Sequence, residues 1–289
     1  MSAGSTDDAR RRGRTHREDR RDRDLEFLVG LGRAFAGALI FALPMLMTME
    51  LWSMGAYVSP SRLITLLVLL LPLLVCLSMV SGFKRTETLR DDVLDAFVAV
   101  AVAAVMSVPV LWLFGIVTPD THLEEAVGRT ALQVIPASIG AMLARSQVSD
   151  GGEGRAGRLP SYWRELTFVA VGALFLGLGA APTDEVLLLA YRMRPGQEIA
   201  LALFSLMLMH AFVYTLGFRA GLVPRPGAAF WSVFVRFSVV GYAIVLLIAC
   251  YLLWSFGRTD GTDASVVVGC AIVLGFPCAL GAAAARLIL

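Results

Sequence analysis

The chain has 289 residues, 57% of them hydrophobic, a formal net charge of +2 and a mean hydropathy of +0.72. Apolar stretches of about twenty residues recur along it, more than a soluble core of this length can use, so a water-soluble globular fold is excluded and length counts membrane spans instead of domains. Cys76, Cys250, Cys270 and Cys278 lie in apolar segments without CxxC spacing, which argues against a disulfide framework or a zinc site and for packing.

Residues 1–24 form a basic tail, with Arg10, Arg11, Arg12, Arg14, Arg17, Arg20, Arg21 and Arg23 in a stretch almost free of apolar side chains. Such a composition predicts disorder. Glu18, Asp19, Asp22 and Asp24 interrupt the charge and no aromatics interleave, which sets nucleic acid aside in favour of a solvated anchor beside anionic lipid head groups. The tail is long and mixed in charge, and the first apolar run is long enough to span, so no cleaved signal peptide is expected.

The apolar runs predict an all-α polytopic protein of eight transmembrane helices: 33–54, 61–81, 93–117, 125–144, 166–190, 196–217, 229–255 and 265–287. The arginine-rich tail and the loops holding Lys84/Arg85/Arg90, Arg155/Arg158/Arg164 and Arg219/Arg225 fall on one side, with Arg192, Arg194 and Arg258 as exceptions. The positive-inside rule makes that side cytoplasmic, with both termini on it. The longest hydrophilic connection, within 146–165, divides the chain into 25–145 and 166–289.

These halves are copies. At an offset of 135, GALIFALPMLMTMELW (37–52) lies over GALFLGLGAAPTDEVL (172–187), so Thr48-x-Glu50 meets Thr183-x-Glu185; the same frame sets Pro60 on Pro195 and Gly82-Phe83-Lys84 on Gly217-Phe218-Arg219. An offset of 141 sets PASIGAMLAR (136–145) on PCALGAAAAR (277–286). Two four-helix repeats follow. An even number of spans per repeat keeps the copies parallel, related by an axis along the membrane normal.

An ionisable side chain at membrane depth costs several kcal/mol unless paired or wetted, so its default reading is functional. Glu50 and Glu185 are equivalent, and if spans one and five meet at the axis the carboxylates converge on a site for protons or a small cation, with Thr48 and Thr183 adding oxygens and Asp184 an accessory charge. A metal, if one is held, would fall to the same two glutamates. Pro44 and Pro182 would break the helices there, freeing backbone carbonyls. The competing reading makes both glutamates simple markers of the outer helix ends. His210 has no counterpart in the first repeat and is a candidate proton relay, or else a hydrogen-bonded core residue. Asp95 and Arg236 form a candidate ion pair, unless Arg236 snorkels to the head groups. Gln133, Ser138, Ser205 and Tyr242 either line a path or bond helix to helix, and the small-residue seam GCAIVLGFPCALGAAAA reads as close packing.

APTDEVLLLAYR followed by FSLMLMH resembles the acid and histidine helices of the intramembrane prenyl-protein proteases, but Leu189 stands where that family has arginine and Asp184 where it has the first glutamate. No HExxH, GxSxG or phosphate-loop site occurs in a convincing context, and no cofactor is implied. The segments PMLMTMELW and APTDE resemble a bacterial family of multi-pass membrane proteins without an assigned function, a resemblance that implies a bacterial inner membrane and carries over no activity. The expected function is a transporter or channel for protons or small cations, in contact with the lipid bilayer and open to homo-oligomerisation. A membrane scaffold, sensor or assembly factor is the alternative, and an intramembrane protease a remote one.

Overall fold

The computed structural model describes residues 28–81, 88–147, 160–217 and 234–288. The basic tail, most of the 146–165 connection and most of the two Gly-Phe-cation corners lie outside them. The first repeat comprises α1 (Leu28–Leu46), α2 (Met49–Met54), α3 (Pro60–Ser81), α4 (Leu89–Leu113) and α5 (Leu123–Gln147). The second comprises α6 (Ser161–Ala180), α7 (Asp184–Arg192), α8 (Pro195–Gly217), α9 (Phe234–Ser255, its opening Phe234–Val239 wound as a π-helix) and α10 (Ala264–Ile288). Seven of the long helices are long and apolar enough to cross a membrane, and α8, with 23 residues, is the eighth among the described residues.

The eight spans are therefore present, with one difference. Spans one and five are not continuous: α1 stops at Leu46 and α6 at Ala180, and each gives way after a two- or three-residue turn to a short helix. Hydropathy windows sum across such a turn because its residues are themselves apolar or uncharged. Alternation of the long helices puts Leu28, Gln147, Ser161 and Ile288 at one end of the bundle, the terminal end, and both breaks at the other.

Close backbone crossings hold each repeat together. Gly37 on α1 faces Gly140 on α5, and a Cβ on either would run into the other's carbonyl oxygen. Gly172 on α6 faces Gly281 on α10 in the same way, and a Cβ on Gly172 would also come 2.8 Å from the Cβ of Ala285. The four glycines are equivalent under the two offsets. Further along, Gly55 at the end of α2 abuts Gly128 on α5, and the equivalents Ala190 and Gly269 meet at α7 and α10. The small-residue seam of the last span is thus a packing seam, and Cys278, which meets Gly177 there, is a free packing residue. Small residues permit such approach where lipid offers no hydrophobic drive to bring helices together. α5 packs on α2, α3 and α4 as well, and α10 on α7, α8 and α9, which makes them the two most buried of the measured spans.

A further match confirms the duplication. LWLFG (111–115) at the end of α4 and LWSFG (253–257) at the end of α9 differ by 142. Both close their helices with a glycine in the left-handed region, φ 69° at Gly115 and 73° at Gly257. Ile116 N–H reaches the Leu111 carbonyl at 2.9 Å and Arg258 N–H the Leu253 carbonyl at 2.8 Å, the six-residue return of a Schellman cap.

The repeats meet through α1, α3, α5, α6 and α9. Phe41 and Phe175 contact edge to face with centroids 5.1 Å apart, and Met45 lies over Gly179. Arg62 on α3 grips Asp260 in the α9–α10 loop with two bonds of 2.7 Å, its guanidinium 5.3 Å over the Trp254 ring.

The crossings predict a selective sensitivity. Gly172→Leu should lower stability by about 1–3 kcal/mol or more through overpacking, whereas Gly30→Ala, with nothing near its Cβ position, should be neutral or slightly stabilising. Thermal unfolding of the detergent-solubilised protein checks this.

Candidate functional site at the paired helix breaks

Each break is built around a threonine. Thr48 and Thr183 take extended backbone (φ −95°, ψ 124° and φ −78°, ψ 151°), as a residue preceding a new helix does. Their hydroxyls do not cap the helix ahead. Each donates backward instead, Thr48 to the Met45 carbonyl and Thr183 to the Ala180 carbonyl, both at 2.8 Å, and the amide of the same threonine bonds the same oxygen at 3.3 and 3.1 Å. The threonine therefore seals the end of α1 or α6. Pro182 stands in the turn itself and cannot donate to the fourth residue back, while Pro44 lies inside the last turn of α1. The carbonyl of Ala42 just before that break accepts the Nε2 of Gln133 on α5 at 3.0 Å, which makes Gln133 a helix-to-helix tie.

Glu50 and Glu185 then fall in the first turns of α2 and α7, where open backbone amides and the helix dipole favour negative charge. Glu50 is half-buried and Glu185 exposed. Neither carboxylate is hydrogen-bonded or ion-paired to a described residue. The ends of α1 and α6 approach each other at Met45 and Gly179, immediately before the breaks. Hydroxyl, carboxylate and helix-end carbonyl oxygens make this a chemistry for hard cations or protons. Among the described residues, no group of three or more His, Cys, Asp and Glu side chains is placed to hold a metal.

Asp184, which has no partner in the first repeat, is the counterion of Arg258, equally unmatched. The guanidinium is mostly buried and bonds the exposed Asp184 carboxylate at 2.6 Å and the Pro182 carbonyl. The first repeat uses another arginine for the same end: Arg129 on α5 bonds the Ile116 carbonyl and Glu125, with its guanidinium 5.4 Å over the Trp52 ring of α2. Arg62 and Arg129 both stand at the break end and were missed in the basic-residue pattern used for orientation. Only their contacts reveal them, since an arginine that folds onto a ring reads in sequence like any other cation.

The remaining candidates lie elsewhere. His210 sits about 22 Å down α8 from Pro195 at 1.5 Å per residue, toward the terminal end and away from both breaks. Its Nδ1 is 2.9 Å from the buried Ser238 hydroxyl in the π-wound start of α9, and Phe234 meets its ring edge-on at 5.0 Å. The acid helix and the histidine helix of the protease resemblance thus place their polar groups apart. Asp95 and Arg236 are not brought together: α4 packs on α3 and α5, whereas Arg236 on α9 is exposed and lies 5.4 Å over the Tyr162 ring. A fully buried carboxylate, Asp92 on α4, accepts the Ser78 hydroxyl at 3.0 Å. It escaped the sequence reading because it borders the polar loop. Ser138 and Ser205 donate to carbonyls of their own helices, at 2.9 and 2.8 Å.

Two parallel four-helix repeats, each opening on a broken helix, define a polytopic helical integral membrane protein. The chain belongs to the integral membrane protein family DUF2391, a family of unknown function whose model matches residues 30–289. No curated protein and no solved structure matches it.

Two outcomes follow from the arginine contacts. Arg258→Gln should release α7, so that amides of 184–192 exchange at least about tenfold faster, as loss of hydrogen bonds from a charged group implies, while those of α2 stay unchanged; hydrogen exchange read by mass spectrometry decides it. Arg62 holds the Asp260 carboxyl below the ordinary carboxylate range, chiefly through their hydrogen bonds. A lowered folded pKa stabilises above the unfolded value of about 3.9 and ceases to do so as pH falls through the folded one. Asp260→Asn should therefore lower the melting temperature slightly at neutral pH, and the gap should close in strong acid; a gap that persists there would exclude the ion pair as its source.

Proposed function

We propose that the protein moves protons or a small cation across the membrane, with the paired breaks as the coordinating site. The observation that supports this reading is the duplicated Thr-sealed break followed by a glutamate, on two helices that approach each other between parallel repeats. Transporters place ion sites at such discontinuous helices because the break concentrates oxygen ligands and helix-end dipoles in one place. Glu50 and Glu185 would supply the charge, Thr48 and Thr183 neutral oxygens, and Asp184 with Arg258 would hold the second break in shape. His210, near the other end of the bundle, would be a separate proton stop and not a partner of the glutamates. In the proposed setting, a bacterial inner membrane with the basic terminal end cytoplasmic, the breaks face outward.

One observation favours the scaffold or sensor reading. α1 has 19 described residues and α6 has 20, about 28–30 Å at 1.5 Å per residue, which already matches the hydrocarbon core. On that geometry α2 and α7 lie at the interface and the glutamates only mark it.

Flux separates the two. In proteoliposomes the wild type should pass protons or one of a panel of mono- and divalent cations, and Glu50→Gln with Glu185→Gln should cut that flux at least about tenfold, the scale of losing a coordinating charge. Wild-type vesicles that conduct none of them, or a double variant as active as wild type, would leave the scaffold reading standing.

A further inference from the structure

Between the repeats, away from the breaks, α1, α5, α6 and α10 enclose a cleft of about 330 Å³ lined by Ile40, Phe41, Leu143, Val171, Phe175 and Ala284 among others, none with a polar side chain. It opens sideways: Ile40 on its rim is 65% exposed, and these helices are membrane spans, so the opening faces the bilayer hydrocarbon. Two of the wall helices, one from each repeat, also carry an arginine beyond the cleft on the terminal side. On α1 and α6 these are Arg33 and Arg164, each seven residues before a lining residue, Ile40 and Val171, hence on the same helix face and about 10 Å nearer the terminal end.

We infer that the cleft is a binding site for an anionic glycerophospholipid, with an acyl chain lying between the repeats and the phosphate beside Arg33 and Arg164. An apolar cleft alone would take any chain. The two arginines supply the choice, because basic residues between membrane helices at the head-group level attract anionic lipid by about 1 kcal/mol each. Arginine matches a phosphate better than a lone ammonium does, since its planar fork donates two bonds at once. The head-group distance is also right: seven residues of helix separate the apolar rim from the charge, about the depth of the interfacial region. The site is built by the same Gly37–Gly140 and Gly172–Gly281 crossings that hold each repeat, since Gly172 and Gly281 lie in its wall. A bound lipid would touch both repeats at once and so stabilise their association.

Native mass spectrometry of the delipidated protein with phosphatidylglycerol or phosphatidylcholine tests this. The wild type should retain one phosphatidylglycerol with a preference of at least about tenfold over phosphatidylcholine, and Arg33→Gln and Arg164→Gln should each reduce that preference about fivefold. Ala284→Phe should fill the cleft and release the lipid with the helical content unchanged. Should that variant not fold, Ile40→Trp on the exposed rim replaces it, and its fluorescence should be quenched more by brominated phosphatidylglycerol than by brominated phosphatidylcholine. Equal retention of both lipids by the wild type, or a preference that survives neutralisation of the arginines, would overturn the site and show the arginines to be topology signals only. The outcome is independent of the flux assay.

Discussion

The crossing of α1 with α5, and of α6 with α10, is the contact on which the rest of the structure depends. In a bilayer apolar side chains gain nothing by leaving lipid for protein, so helices associate where backbones come close enough for dispersion and weak Cα–H···O contacts to add up. Gly37 with Gly140, and Gly172 with Gly281, are such places. Once α1 and α5 are in contact at this depth, the direction of everything beyond is set. Gly128 meets Gly55 further along α5, which fixes where α2 must lie, and the same geometry fixes α7 against Gly269. Since α1 and α6 also supply the contact between repeats, a spreading of either crossing would move the breaks and the cleft together.

The two copies agree in what builds the scaffold and differ in what secures its ends. Glycine crossings, threonine-sealed breaks and Schellman caps recur with hydrogen bonds matching to within a few tenths of an ångström. The arginines do not recur: Arg129 secures the first break end from α5, and Arg258 secures the second from the α9–α10 loop. The local consequence is an acid with a cation to answer it, which is why Asp184 stands where the first repeat has Met49. A buried guanidinium left without acceptors would be costly, so cation, acid and carbonyl are one unit and stay or go together.

Much of this was legible in the residues, for identifiable reasons. Thr-x-Glu, Pro60 with Pro195 and the Pro-to-Arg helix ends are rare enough in an apolar background to reveal the duplication in two nearby frames, and eight runs of span length yield eight long helices. Pro44 and Pro182 point to breaks, but hydropathy does not show where they fall, because Met47 and Ala181 add to an apolar window as any helical residue would. The LWLFG and LWSFG ends escaped because their offset of 142 falls in neither frame, one residue beyond the second. The contacts of Arg62 and Arg129 and the burial of Asp92 depend on what other elements bring to them, and no local pattern encodes that. The convergence of α1 and α6 was a condition of the shared-site idea, and the structure meets it at Met45 and Gly179 while leaving Glu50 and Glu185 in unequal surroundings.

That inequality follows from where the two glutamates sit. A half-buried Glu50 and an exposed Glu185 differ in the dielectric around their charge. The asymmetry is produced at little cost to the fold, since it lies in the short helices beyond the breaks, where packing is against a single partner helix, α5 or α10. The repeat cores are then free to stay alike while the break ends diverge, and the residues that differ between copies, Asp184 and Arg258 in one and Trp52 and Arg129 in the other, are those that set the surroundings of each glutamate.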